Sequence, residues 1–185
     1  MKDALGTVSG LLVLLFVIAS TAHAAQLVNM TPKELAVHSD LIVRGTVAYA
    51  QCYWNDKHTK IFTKAAITVA ETYKGNEVPS IEVLQLGGIV GNVKMTVEGA
   101  LGWKEGEEVL LFLEPYPQGA HQVTGLSQGK FAIERDPKTG AAFISRPAPV
   151  DAKLVQQRSA EGKSMPPSIQ KMPLERFIQD ALGVK

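Results

Sequence analysis

The sequence predicts a mostly β fold: a small, partly closed antiparallel barrel with a short helix before its first strand and an amphipathic helix at its end. Three observations lead there. Short runs rich in β-branched residues are separated by glycine-containing turns. Gly45 interrupts the first long run, as a strand that bends at a barrel corner requires. Helical periodicity is confined to the two ends of this region. A β-sandwich is the alternative packing of the same strands.

The opening helix is marked by Thr31-Pro32-Lys33-Glu34, a capping box with Thr31 at the N-cap, Pro32 at N1 and Glu34 at N3. It should stop near Ser39-Asp40. The run from Leu41 towards Tyr53 reads as the first strand, with Leu41, Val43, Val47 and Tyr49 on one face. Asn55 to His58 is a polar turn. Ile61 to Tyr73 is the second strand and Ile81 to Leu86 the third. Gly87 to Gly91 reads as a loop and Val93 to Val97 as a fourth strand. Val109 to Leu113 is unbroken in apolar residues, which suits a strand covered on both faces. Gln122 to Leu126 and Lys130 to Glu134 read as further strands. Ala141 to Ser145 is placed to pair back across the turn Asp136 to Gly140. About seven short strands of this kind fit an OB-like barrel.

Residues outside this region have other textures. Lys2, the apolar run Leu11 to Ile18 and the Ala22-His23-Ala24 pattern predict a cleaved export signal over residues 1–24. The apolar run is shorter than the roughly 20 residues that a membrane-spanning helix needs. No stable membrane insertion is expected after cleavage. Residues 25–145 then form the barrel domain with its helix. Residues 146–172, with four prolines, read as a linker, within which Asp151 to Ser159 could form a short helix. Residues 173–183 place Leu174, Phe177, Ile178, Ala181 and Leu182 on one helical face, with Gly183 ending the helix.

The formal net charge is +1, with signs interspersed, which gives no footprint for nucleic acid. A single cysteine, Cys52, excludes a disulfide within one chain.

Several residues are candidates for chemistry. Gly125-Leu126-Ser127-Gln128-Gly129 matches the nucleophile-elbow pattern, and His121 is six residues from Ser127. The pattern works only where a strand, a sharp turn and a helix follow one another. Here Lys130 to Glu134 alternates as a strand instead, and every histidine precedes the serine. Cys52 and His58, with His121 joining from elsewhere, carry side chains that take soft and borderline metals, but without a paired-ligand spacing. Trp54 and its neighbour Tyr53 point to opposite faces, so one of them can form an exposed aromatic platform. Trp103 sits in a second turn. Gly87 and Gly88 open a glycine loop that can border a binding site. Gln128 and Lys130 flank Gly129 on one face, as ligand contacts or as solvated edge residues. No cofactor is implied.

Ser39 to Val47, Thr72 to Gly75, Gly87-Gly88, Gly106 to Leu113 and Gly125 to Phe131, in this order and spacing, resemble a group of secreted bacterial proteins of unassigned activity. The opening Ser39-Asp40-Leu41-Ile42-Val43-Arg44-Gly45-Thr46-Val47 is also similar to the first strand of netrin-like OB-fold modules, which include tissue inhibitors of metalloproteinases. Those modules rely on cysteines, one of them at the mature N-terminus, where this chain has Ala25. The resemblance therefore implies a fold rather than inhibition.

The leading reading is an exported, non-enzymatic binding module, periplasmic or secreted, whose partner is a protein, a peptide or a glycan. The alternatives are a serine hydrolase using Ser127 and a metal-binding protein using Cys52 and His58.

Overall fold

The computed structural model describes residues 29–145 and 171–183. The expected export signal (1–24), the helix at Asp151 to Ser159 and nearly all of the linker lie outside the described residues.

The capping box forms as the sequence requires. Thr31 Oγ1 accepts from the Glu34 amide at 3.3 Å, and Glu34 Oε2 accepts from the Thr31 amide at 2.7 Å. Helix α1 (Pro32–His38) follows. Lys74 Nζ reaches its C-terminal end, donating to the carbonyls of Ala36 and Ser39 at 2.8 and 2.6 Å.

Among the described residues ten strands follow, where about seven were expected. They are β1 (Leu41–Trp54), β2 (Ile61–Lys74), β3 (Ser80–Leu86), β4 (Gly88–Val90), β5 (Val93–Met95), β6 (Glu108–Pro115), β7 (His121–Val123), β8 (Lys130–Arg135), β9 (Ala142–Ser145) and β10 (Met172–Pro173). The chain then enters helix α2 (Leu174–Leu182), ended by Gly183 in the left-handed conformation.

The main sheet runs β1-β2-β3-β7-β6-β8-β9-β10, and β1 also pairs with β6. Five strands, β1-β2-β3-β7-β6, therefore form a ring. Its weakest seam joins β3 to β7 through one bridge, Val83 to His121, and this pair is parallel. The ring does not close into a full barrel. It is a partly closed, OB-like barrel rather than a sandwich, and antiparallel except at that seam.

Four local expectations are corrected. Gly87 to Gly91 is no simple loop, because β4 and β5 make a hairpin across it, and β5 ends at Met95. The strand expected to reach Leu126 stops at Val123 and gives way to a tight turn at Leu126–Gly129. Met172, assigned to the linker, pairs with Ile144 in β10. Finally, Tyr49 does not share a face with Leu41, Val43 and Val47. The β1–β2 register shifts between Val47 and Tyr49, so a bulge at Ala48 turns Tyr49 outward, opposite Ala66.

Strand β6 explains the arrangement. Val109 to Leu113 are all fully buried. Val109, Leu111 and Leu113 fill the barrel interior with Val43, Val47 and Ile67. Leu110 and Phe112 face the other way, against Leu35 of α1, Phe131 of β8 and Phe177 of α2. The rings of Phe112, Phe131 and Phe177 meet with centroids 4.7 to 6.1 Å apart. Gly45, at the bend of β1, has no room for a side chain: a Cβ would lie 2.5 Å from the carbonyl oxygen of Thr68.

The β3–β7 seam predicts acid sensitivity. The His121 Nδ1 is buried and has no hydrogen-bond partner. Burial holds the His121 pKa below its ordinary 6.5, an effect partly opposed by a hydrogen bond with the Glu82 backbone. The folded state thus binds a proton less readily than the unfolded chain. Stability is full above the unfolded value and falls as pH drops through it towards the depressed folded value. Thermal unfolding followed at pH 7 and pH 5 should show this loss, and His121→Gln should flatten it.

Candidate functional site

The residues singled out by sequence fall into three places. The first is the turn after β7. Gly125 adopts a left-handed conformation (φ 65°), and Ser127 lies in the tight turn that leads directly into β8. No helix follows the serine, so the strand–turn–helix context of a nucleophile elbow is not formed. No hydrogen bond joins Ser127 to His121. Gln128 is buried and accepts from the Met30 amide at 2.7 Å, fastening the entry of α1 to this turn.

The second place is the mouth of the barrel near Trp103. Lys130 is 1% exposed. Its Nζ donates to the Gly102 carbonyl and to Glu107 Oε2, each at 2.7 Å. It also lies 4.6 Å from the centre of the Trp103 ring. This lysine is no solvated edge residue, and its charge is already committed. It pins the segment before β6 to β8. Gln85 secures the same segment, exchanging two hydrogen bonds with the backbone of Leu101.

The third place is the long arm that β1 and β2 make beyond the barrel. His58, at the turn, stacks on Trp54 with centroids 6.1 Å apart. Cys52 faces Thr63 across the strands, Sγ to Oγ1 at 3.3 Å. Thr63 donates to the Gly87 carbonyl at 2.7 Å. Gly88 crosses directly above: a Cβ there would lie 2.6 Å from Cys52 Sγ and 2.7 Å from Thr63 Oγ1. Gly87 and Gly88 thus let the β4–β5 hairpin seal the inner face of the arm. Among the described residues no three His, Cys, Asp or Glu side chains group closely enough to hold a metal ion.

A feature that the sequence reading missed lies on the outer face of β1, β2 and β3. The register sets three rows across it: Tyr53–Phe62–Leu86, Gln51–Lys64–Leu84 and Tyr49–Ala66–Glu82. Tyr49 is 44% and Tyr53 37% exposed, and Phe62, Leu84 and Leu86 are half-buried. The Tyr53 and Phe62 rings stack with centroids 6.1 Å apart. Lys64 and Glu82 form an ion pair at 3.0 Å within this apolar surround. The hydrogen bond to Glu82 raises the Lys64 pKa, so the lysine stays charged. The sequence signal was the Tyr53-Trp54 pair, but the bulge at Ala48 decides that Tyr53, not Trp54, takes the outer face.

A cleft of about 440 Å³ also opens between β1, the β8–β9 turn and α2, with Arg44, Glu71, Tyr73 and Arg135 in its walls. Both of its arginines are paired with carboxylates. Arg44 bridges Glu71 and Glu108 at 3.1 and 3.3 Å, and Arg135 grips Glu108 through two bonds of 2.8 and 2.7 Å.

No family model matches the chain, and no curated protein matches it.

The Lys130 site predicts an asymmetry. Glu107→Ala leaves a buried ammonium without its counter-charge and should cost about 3 kcal/mol. Lys130→Met leaves a glutamate that water can reach and should cost less than about 1 kcal/mol. Chemical denaturation of the two variants checks the order.

Proposed function

We propose that this chain is an exported, non-enzymatic binding module that docks a protein partner on the outer face of β1–β2–β3. The single observation behind this reading is that face itself. The outer side of β6, β8 and β9 is covered by α1 and α2, whereas this side carries exposed tyrosines and half-exposed Phe62, Leu84 and Leu86. Aromatic residues ringed by polar ones are the usual composition of a protein-binding patch.

The aliphatic side chains Leu84 and Leu86 beside the rings favour a protein or peptide over a glycan, because they add apolar area that a sugar does not use. The central Lys64–Glu82 pair supplies one donor and one acceptor to fix the orientation of a partner. The export pattern in residues 1–24 supports a periplasmic or secreted address. The likeness of the first strand to netrin-like modules agrees with an OB-like scaffold that presents a ligand on a barrel face.

The test places a photo-crosslinking residue at Leu84, with a control at Lys138 in the β8–β9 turn, in protein exported by its own host. The reading expects one discrete heterologous protein adduct at position 84 and none at 138. Tyr53→Ser should reduce that adduct about tenfold or more, as loss of an aromatic anchor does. Equal labelling at both positions, or binding to glycans with no protein adduct, contradicts it.

A further inference from the structure

Past Val47, β1 leaves the barrel and loses one of its two neighbours. Its pairing with β6 ends at Thr46 opposite Glu108, and Val47 is closed off by backbone hydrogen bonds with Gly106 and Glu107. From Ala48 to Trp54 the strand pairs only with β2. Its other edge faces no strand among the described residues. Ala48, Tyr49, Ala50, Gln51 and Tyr53 are exposed along it.

An open edge is a template for another strand, and proteins usually blunt one with charge, proline or a bulge. This edge carries neither charge nor proline, and its one bulge, at Ala48, lies at the base of the arm. From Gly45 to Trp54 there is no charged residue and no proline. From Tyr49 to Trp54 the register with β2 is unbroken. The edges of β5 and β10 are blunted: β5 is three residues long with Lys94 at its centre, and β10 is two residues long and ends in Pro173.

We propose that two copies of this chain pair antiparallel through this edge, about a two-fold axis at Gln51. The segment itself argues for a second copy rather than a foreign strand. Tyr49-Ala50-Gln51-Cys52-Tyr53 reads almost the same in both directions, with small Ala50 and Cys52 exchanging places. A two-fold interface requires such self-complementarity. In this register Gln51 lies opposite its own copy, where the two amides can donate to and accept from each other. Tyr49 lies opposite Tyr53 of the second copy, and so does the reverse pair, giving two cross-strand aromatic contacts on the outer face. Ala50 meets Cys52 on the inner face, where a larger pair would crowd the β4–β5 hairpin. The result makes the two β1–β2–β3 arms, six strands, continuous across the two-fold axis.

This pairing uses the edge of the arm and does not depend on a protein docking on its outer face, so either idea can fail without the other. Sedimentation velocity of the exported protein across a concentration series is expected to show a monomer–dimer equilibrium. Gln51→Lys sets two like charges against each other across the axis. It should raise the dimer dissociation constant at least about tenfold while leaving the thermal unfolding curve unchanged at concentrations where both proteins are monomeric. In a Cys52→Ser background, Gln51→Cys should yield a disulfide-linked dimer under mild oxidation, because residues directly opposite on paired strands bring their Cβ atoms within reach of a disulfide. Thr59→Cys, in the exposed turn, should not. A wild-type protein that stays monomeric at every soluble concentration overturns the proposal, and so does a dimer that Gln51→Lys leaves intact.

Discussion

The burial of β6 on both faces is the constraint from which the rest of the structure follows. Five consecutive apolar residues alternate their side chains between two directions, and neither set can face water. Each buried side chain of this size contributes roughly 1.5–3 kcal/mol, so exposing either set would cost an amount comparable with the net stability of a domain. One set is covered by curling β1, β2, β3 and β7 into a ring. The other is covered by a second layer, in which α1, α2 and the β8–β9 hairpin close over Leu110 and Phe112. The bend in β1 is the geometric condition for both, because that strand must turn from β6 towards the free arm. Gly45 sits where the backbone of β2 leaves no room for a side chain.

This arrangement limits where function can reside. The barrel interior is filled with aliphatic side chains, and Lys130 packs against Trp103 beside them. The outer side of β6, β8 and β9 is under helices. The inner face of the arm is sealed where Gly88 rides over Cys52 and Thr63. The outer face of β1–β2–β3 and the free edge of β1 stay open among the described residues, and they adjoin each other at Tyr49 and Tyr53. Both proposals arise at the same exposed arm, one from its surface and one from its unpaired backbone.

Much of the scaffold was legible in the sequence because its signals are local. Val109 to Leu113 announced a doubly covered strand through its unbroken apolar run, Thr31 to Glu34 a helix start, and Leu174 to Gly183 an amphipathic helix with its stop. The candidate site was much less legible, because it depends on distant partners and on strand parity. Lys130 looks like a solvated lysine until Gly102, Trp103 and Glu107 are brought to it. Gln128 finds its partner 98 residues away, at Met30. Gly87 and Gly88 read as a loop that can border a binding site, yet Gly88 serves close packing over a thiol. The bulge at Ala48 has no strong signature of its own, although it reverses which residues of the arm face outward. Without it, Tyr49 belongs to the barrel wall and the outer face carries no pair of tyrosines.

Native-state hydrogen exchange of the β6 amides tests the shared role of this strand most directly. If β6 holds both cores together, the amides of Val109 to Leu113 exchange only when the whole domain unfolds, with an opening free energy equal to the global value. Protection should then decline outward, through β8 and β9 on one side and towards the tip of the β1–β2 arm on the other. Exchange of the β6 amides through a smaller opening, while α2 or the ring strands stay protected, would contradict the account.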